Sequence, residues 1–166
     1  MERSTISGRS LKLFPFSGIY SASKNLIDLE KNKKIDQQVN TVSLFWETIG
    51  ENMPQWRGVR IGNMPASKVR EDYIHTHVII LQALGHMGKD LLKQFPTNWK
   101  SKLKNLNKIN WLKNNSIWQQ RVIINGRVVK NNNSIILASN VIKKALGIKL
   151  DAKEKALESQ VKKSGK

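Results

Sequence analysis

Val69, Tyr73, Ile80, Leu84, Met87, Leu91 and Phe95 recur at spacings built from three and four, the longest helical periodicity in the chain. Such a stripe cannot be left in water, so a helix from about Ser67 to Phe95 must be covered by other helices. Ser67 is placed as its N-cap, and Glu71 and Asp72 fall in its first turns, where the helix dipole favours acids. Pro96 ends it. Gly85 and Gly88 each cost about 1 kcal/mol relative to Ala in a helix interior. They therefore predict either a close approach of another helix or a kink that splits the element.

The rest of the chain reads as a mainly α fold, with about five or six helices and one β-hairpin. Residues 1–12 are expected to form a flexible leader, 13–150 a helical domain, and 151–166 a polar helix with a frayed end. Leu13 to Phe16 suggests a short extended piece. Ser17 can cap a helix carrying Ile19, Tyr20, Leu26 and Ile27, and Lys31 to Lys34 is a polar break. A second helix runs from Asp36 to about Asn52, with Phe45 and Trp46 in the core. Pro54 stops it, and Trp56 follows in a loop holding Gly58, Gly62 and Pro65. After Pro96, a short basic helix places Trp99, Leu103, Leu106 and Ile109 on one face.

Asn125-Gly126 between Val122-Ile123-Ile124 and Arg127-Val128-Val129 is the clearest turn signal. A two-residue hairpin pairs Ile124 with Arg127, Ile123 with Val128 and Val122 with Val129. It would also set Arg121 against Lys130, two cations that repel unless an anion lies between them. Asn131 to Ser134 opens a further helix stopped by Gly147. Asp151 and Glu154 form a capping box for the last one, whose end at Lys162 to Lys166 frays.

Charge carries the functional signal. From Leu91 to Leu150 there are twelve Lys and Arg and no Asp or Glu, within a chain of net charge +17 and sequence pI near 10.3. A basic tract of this length points to an anionic polymer, above all a nucleic-acid backbone, although lysines that simply coat helices would look the same. The absence of cysteine excludes disulfides, thiolate zinc sites and cysteine nucleophiles, and suits a reducing cytoplasm. No apolar run reaches the roughly 18 residues a membrane span needs, and Met1 to Ser10 lacks the apolar core of a signal peptide.

Catalytic and metal patterns are weak. His75 and His77 would be rotated by about 200° on a helix and could not share a metal, and His86 is the only other imidazole. They read instead as partly buried, hydrogen-bonded residues. Glu47 and Glu51 share a helix face, which reads as solvated rather than as an acid–base pair. No nucleophile triad, Ser-x-x-Lys context or Gly-rich phosphate loop appears. The reading is therefore non-enzymatic, with no metal and no cofactor.

The stronger constellation is a phosphate clamp. Arg121, Arg127 and Lys130 on the hairpin arms would converge on the backbone amides of Asn132 to Ser134, at a helix start whose dipole favours anions. A structural hairpin with solvated arginines is the alternative. Lys100, Lys104 and Lys108 before it, and Lys143 and Lys144 after it, extend the expected contact surface. Among the tract's tryptophans, Trp99 at leucine spacing belongs to the core, whereas Trp111 and Trp118 are open to either core packing or stacking on bases.

A series of short motifs carries a family resemblance. It runs through Leu13-Phe14, Ser17-Gly18-Ile19-Tyr20-Ser21-Ala22-Ser23, Phe45-Trp46-Glu47 and Glu51-Asn52-Met53-Pro54-Gln55-Trp56. It continues with Ser67 to Tyr73, Leu81 to Gly85, Trp99, Ile109-Asn110-Trp111 and Trp118. Gly126-Arg127-Val128, Asn140 to Lys144 and Leu146-Gly147 close it. In this order they resemble the DndB proteins of DNA sulfur modification and related DGQHR-domain proteins, over about Leu13 to Leu157. The Asp-Gly-Gln-His-Arg motif of the family's N-terminal region is absent, so the chain looks like the C-terminal half of a larger α/β family fold.

The resemblance implies a system that replaces a non-bridging phosphate oxygen of DNA with sulfur. Within it, such a protein is an accessory and DNA-binding transcriptional regulator without sulfur chemistry of its own. The expected partner is DNA, gripped by its phosphates between Lys93 and Lys149. RNA fits the charge equally. Two further readings stand beside it: an interaction module that completes a separately encoded N-terminal DGQHR half, and a truncated remnant.

Overall fold

A computed structural model describes residues 6–26 and 34–164. Met1 to Thr5, most of the expected polar break at Lys31 to Lys34, and Gly165-Lys166 lie outside the described residues, as does Ile27. Eight helices and one hairpin are seen among the described residues: α1 (Phe16–Leu26), α2 (Ile35–Glu51), α3 (Pro54–Arg60), α4 (Ala66–Asp72), α5 (Val78–Gln94), α6 (Trp99–Leu103), β1 (Ile123–Ile124), β2 (Arg127–Val128), α7 (Asn132–Leu146) and α8 (Ala152–Ser164). The fold is mainly α, with more helices than the sequence suggests. The surplus comes from α3 and from a break in the long periodic segment.

That segment is two helices. Tyr73 is extended (φ −110°, ψ 138°), Ile74–Thr76 make one 3-10 turn, and His77 (φ −79°, ψ 141°) starts α5. The break is stitched to a distant strand of chain. Ile74 N–H donates to Trp111 O at 2.9 Å, Lys113 N–H donates to Asp72 O at 2.9 Å, and Tyr73 bridges Leu112. Aromatic and β-branched residues from Tyr73 to Ile80 lose little by leaving the helix. Ser67 is thus not the cap, since Pro65 holds that position. Glu71 and Asp72 sit in the last turn of α4, not the first turns of a long helix. Lys68 answers them at 3.4 and 3.3 Å.

α5 is the centre. It is buried almost all round, and it packs chiefly on α1 and α7. The glycines explain the first contact. A Cβ at Gly85 would lie 2.2 Å from Ala22 O, and one at Gly88 would lie 2.5 Å from Leu26 Cδ1 and Phe45 Cζ. Close packing, not a kink, is their role. His86 and Asp90 point from α5 to Ser139 and Lys143 of α7.

Pro54 does not merely stop α2. It is the first residue of α3, where a missing N–H costs nothing, and Trp56 is a buried helical residue rather than part of a loop. The turn Asn125-Gly126 has φ of 50° and 72°, and the register is Ile123 with Val128 and Ile124 with Arg127, continued by Val129 N–H to Val122 O at 2.9 Å. The ladder then ends. Gln120 has φ 59° and Arg121 N–H turns back to Trp118 O, so Arg121 does not face Lys130 in a ladder. Asn131 caps α7 by accepting from Ser134 N–H, and Gly147 (φ 72°) closes it. The capping box of α8 is complete: Glu154 N–H donates to Asp151 Oδ1 at 2.8 Å and Asp151 N–H to Glu154 Oε2 at 3.0 Å. At the other end, the guanidinium of Arg70 ties down the leader through the carbonyls of Ser7, Gly8, Ser10 and Lys12.

Candidate nucleic-acid interface

The acid-free tract folds into α6, the hairpin and α7, and its cations separate into exposed and internal sets. Arg127 and Lys130 stand exposed on the second hairpin arm and the link to α7, beside exposed Asn132 and Asn133. Lys130 and Lys113 lie near His77, whose pKa is pushed down to about 4, first by burial and then by these two ammonium groups. Lys113 Nζ donates to Arg70 O at 2.7 Å, and burial lowers its pKa against the pull of Asp72 and Glu71. Ser134 is buried and its N–H is taken by Asn131, which removes it from the expected clamp.

Arg121 also points elsewhere. Its Nη2 donates to Glu158 Oε2 at 3.0 Å, its Nε to Oε1 at 3.4 Å, and its Nη1 to Ile117 O at 3.2 Å. Lys144 donates to the same Glu158 Oε2. Burial raises the Glu158 pKa, but the hydrogen bonds and charges of Arg121 and Lys144 outweigh it, so the carboxyl stays below its ordinary value.

Lys143 is internal, with its side chain only 1% exposed. It binds Asp90 and Glu154 together, beside His86, whose Nδ1 lies 3.3 Å from Ser139 Oγ. Among the described residues, His86, Asp90 and Glu154 are grouped closely enough to hold a metal, with ligand atoms within 4.8 Å of one another. The Lys143 ammonium already supplies the cation between the two carboxylates. The Lys143 ammonium, expected at the contact surface, is thus enclosed by protein carboxylates rather than turned to solvent.

Lys100 and Lys104 come together, but across from acids. They line an open cleft of about 520 Å³ with Glu47, Thr48 and Glu51 of α2. Lys108 is exposed at the end of the 3-10 turn that follows α6. Trp99, Trp111 and Trp118 are all buried. Trp111 and Trp118 stack on each other with centroids 5.3 Å apart, and their indole N–H groups donate to Leu106 O and Asn110 O. Neither is placed to stack on a base.

Sequence reasoning missed the acids that flank the tract and fold back onto it. Glu154 and Glu158 at i,i+4 on the capped last helix were the available signal. It also missed the His75–Trp56 pair, for which nothing local gave warning.

A family model described as DndB, DNA-sulfur modification-associated, matches residues 1–149. The chain belongs to the DndB family. Neither a curated protein nor a solved structure matches it. All twelve cations of the tract lie inside the DndB match, while α8, with Glu154 and Glu158, begins just beyond it. Among the described residues of this DndB chain, no helix is long and apolar enough to cross a membrane.

Proposed function

We propose that this DndB-family chain is a non-enzymatic, DNA-binding accessory or transcriptional regulator of a DNA phosphorothioation system. Family membership supports the system. The observation that carries DNA binding is the exposed remainder of the tract: Lys93, Lys100, Lys104, Lys108, Arg127, Lys130 and Lys149 reach the surface from a segment without acids. Lysines and arginines so placed grip backbone phosphates and fix register, and they carry little base information.

Binding should therefore weaken steeply with salt. About four to six phosphate contacts give a slope of roughly −4 to −5 in log K against log salt. The test is a gel shift of the purified chain over a salt series, with a duplex from upstream of the modification genes, a scrambled duplex and an RNA of equal length. Tighter binding of either duplex than of RNA supports the reading, and no duplex binding at low salt refutes it.

One observation favours a second reading, an interaction module that meets a separately encoded DGQHR half. Phe16 and Tyr20 stack on the outer face of α1 at 6.4 Å and are 70% and 53% exposed, and Ile35 and Val39 are exposed on α2. A DGQHR-bearing gene immediately upstream would favour it, with co-purification of the two products as its test.

A further inference from the structure

Glu158 is a buried carboxylate held by cations. Two cations from separate elements, Arg121 ahead of the hairpin and Lys144 on α7, converge on its carboxylate. Arg121 grips it through two N–H groups, and its third contact, to Ile117 O, fixes the head of the fork. A guanidinium fork of this kind fits the oxygens of a carboxylate or a phosphate alike. With Glu158 bound, the site still carries one more positive than negative charge. It also opens outward, since the Lys144 side chain is 48% exposed although that of Glu158 is only 7% exposed.

The helix that carries Glu158 is weakly held by apolar contact. The face of α8 toward the body presents Glu154, Leu157, Glu158 and Val161. The two glutamates are buried and the two apolar residues only half-buried. Its first turn is closed by the capping box with Asp151 and anchored to α7 by Glu154 on Lys143 and by Asn140 Nδ2–H, which donates to Glu154 O at 3.2 Å. Beyond that turn, Glu158 binds Arg121 and Lys144. A helix docked by ion pairs is sensitive to salt and to competing anions in a way that one docked by leucines is not. α8 also lies outside the family match, whereas both cations lie inside it.

We propose that Arg121 and Lys144 form a phosphodiester-binding site of the DNA interface, and that α8 keeps it closed by inserting Glu158 as an internal stand-in for phosphate. Nucleic acid then competes with Glu158, and α8 swings out about its anchored first turn. A tethered competitor has a local concentration on the order of millimolar. A polymer already held by the exposed lysines can displace it, and free phosphate displaces it poorly. The proposal rests on the DNA-binding reading and adds the site and its control.

The experiment compares the full-length wild type with Glu158→Gln by fluorescence anisotropy on a labelled duplex across a salt series. Opening the site should tighten binding about three- to ten-fold near physiological salt and steepen the slope by about one to two. Glu71→Gln, which makes the same charge change at an exposed α4 position, should give less than half of that gain. Adding Arg121→Gln and Lys144→Gln to Glu158→Gln should abolish it.

Wild-type affinity and slope in Glu158→Gln would overturn the proposal, as would a gain that survives loss of both cations. Failure of every variant to bind at low salt would overturn the DNA-binding reading itself. Should Glu158→Gln unfold, hydrogen exchange on wild type decides. Residues 156–161 should exchange faster when duplex is saturating, and equal or slower exchange rejects the masking helix.

Discussion

His75 is held as a neutral imidazole by its surroundings. It is buried, its Nδ1 accepts from Trp56 Nε1–H at 3.0 Å, and its Nε2 lies 3.3 Å from Gln55 Oε1. That arrangement suits the tautomer with its proton on Nε2. Tyr73 stacks on one side at 5.3 Å, and Trp111 meets it edge-on. Burial, and then the nearby His77, push its pKa down to about 3 from an ordinary 6.5. Below pH 6.5 the unfolded chain therefore binds a proton that the folded chain refuses. The stability His75 contributes is complete above pH 6.5 and is lost as pH falls toward 3. Between pH 7 and pH 5 the loss is about 2 kcal/mol from this residue, and His77 and His86, both lowered by burial first, act in the same direction. Thermal melts should show a falling Tm over that interval. His75→Asn should start lower at pH 7.5 yet fall less by pH 5, and an equal fall in both proteins would contradict the assignment.

At the scale of elements, helices α1 and α5 meet through missing side chains. Alanine at Gly85 gains about 1 kcal/mol of helix propensity but drives a methyl group into the backbone of Ala22, where no side chain can rotate away. Overpacking of this kind costs about 1–3 kcal/mol or more, so Gly85→Ala should be destabilising on balance. Gly50→Ala in α2 meets nothing within 4 Å and should stabilise by up to about 1 kcal/mol. Opposite shifts of Tm for the two variants are the check. This contrast also shows which parts of the fold a sequence can reveal. The hairpin, the close of α7 and the start of α8 were legible because Asn125-Gly126, Gly147 and the Asp151–Glu154 box act within four residues. The break at Tyr73 was hidden because Tyr73 and Ile80 stand seven apart, two helical turns, whether or not the chain between them is helical. The burial of Lys143 and the pairing of Arg121 were hidden for a related reason. Asp90 reaches Lys143 across 53 positions and Glu158 reaches Arg121 across 37, and neither pairing leaves a local trace.

For the whole molecule, the decisive step is how folding divides one run of positive charge. Acids from just outside the tract turn inward to Arg121, Lys143 and Lys144, while Arg127, Lys130, Lys100, Lys104 and Lys108 remain exposed. The two sets should then respond oppositely to neutralisation. Lys143→Met keeps most of the volume but leaves the carboxylates of Asp90 and Glu154 together without their cation. Breaking a buried pair in this way costs about 3 kcal/mol, on the order of 10 °C in Tm for a chain of this size. The double change Arg127→Gln and Lys130→Gln touches only exposed groups and should leave stability within about 0.5 kcal/mol. It should instead lower the salt slope of DNA binding by about 2, at roughly 0.9 per lost phosphate contact. Calorimetric melts and anisotropy titrations on the same preparations separate the two effects. A Lys143→Met protein as stable as wild type would deny the buried cluster its structural role. An unaltered slope in the double variant would remove the hairpin from the interface and leave the α6 lysines to carry it.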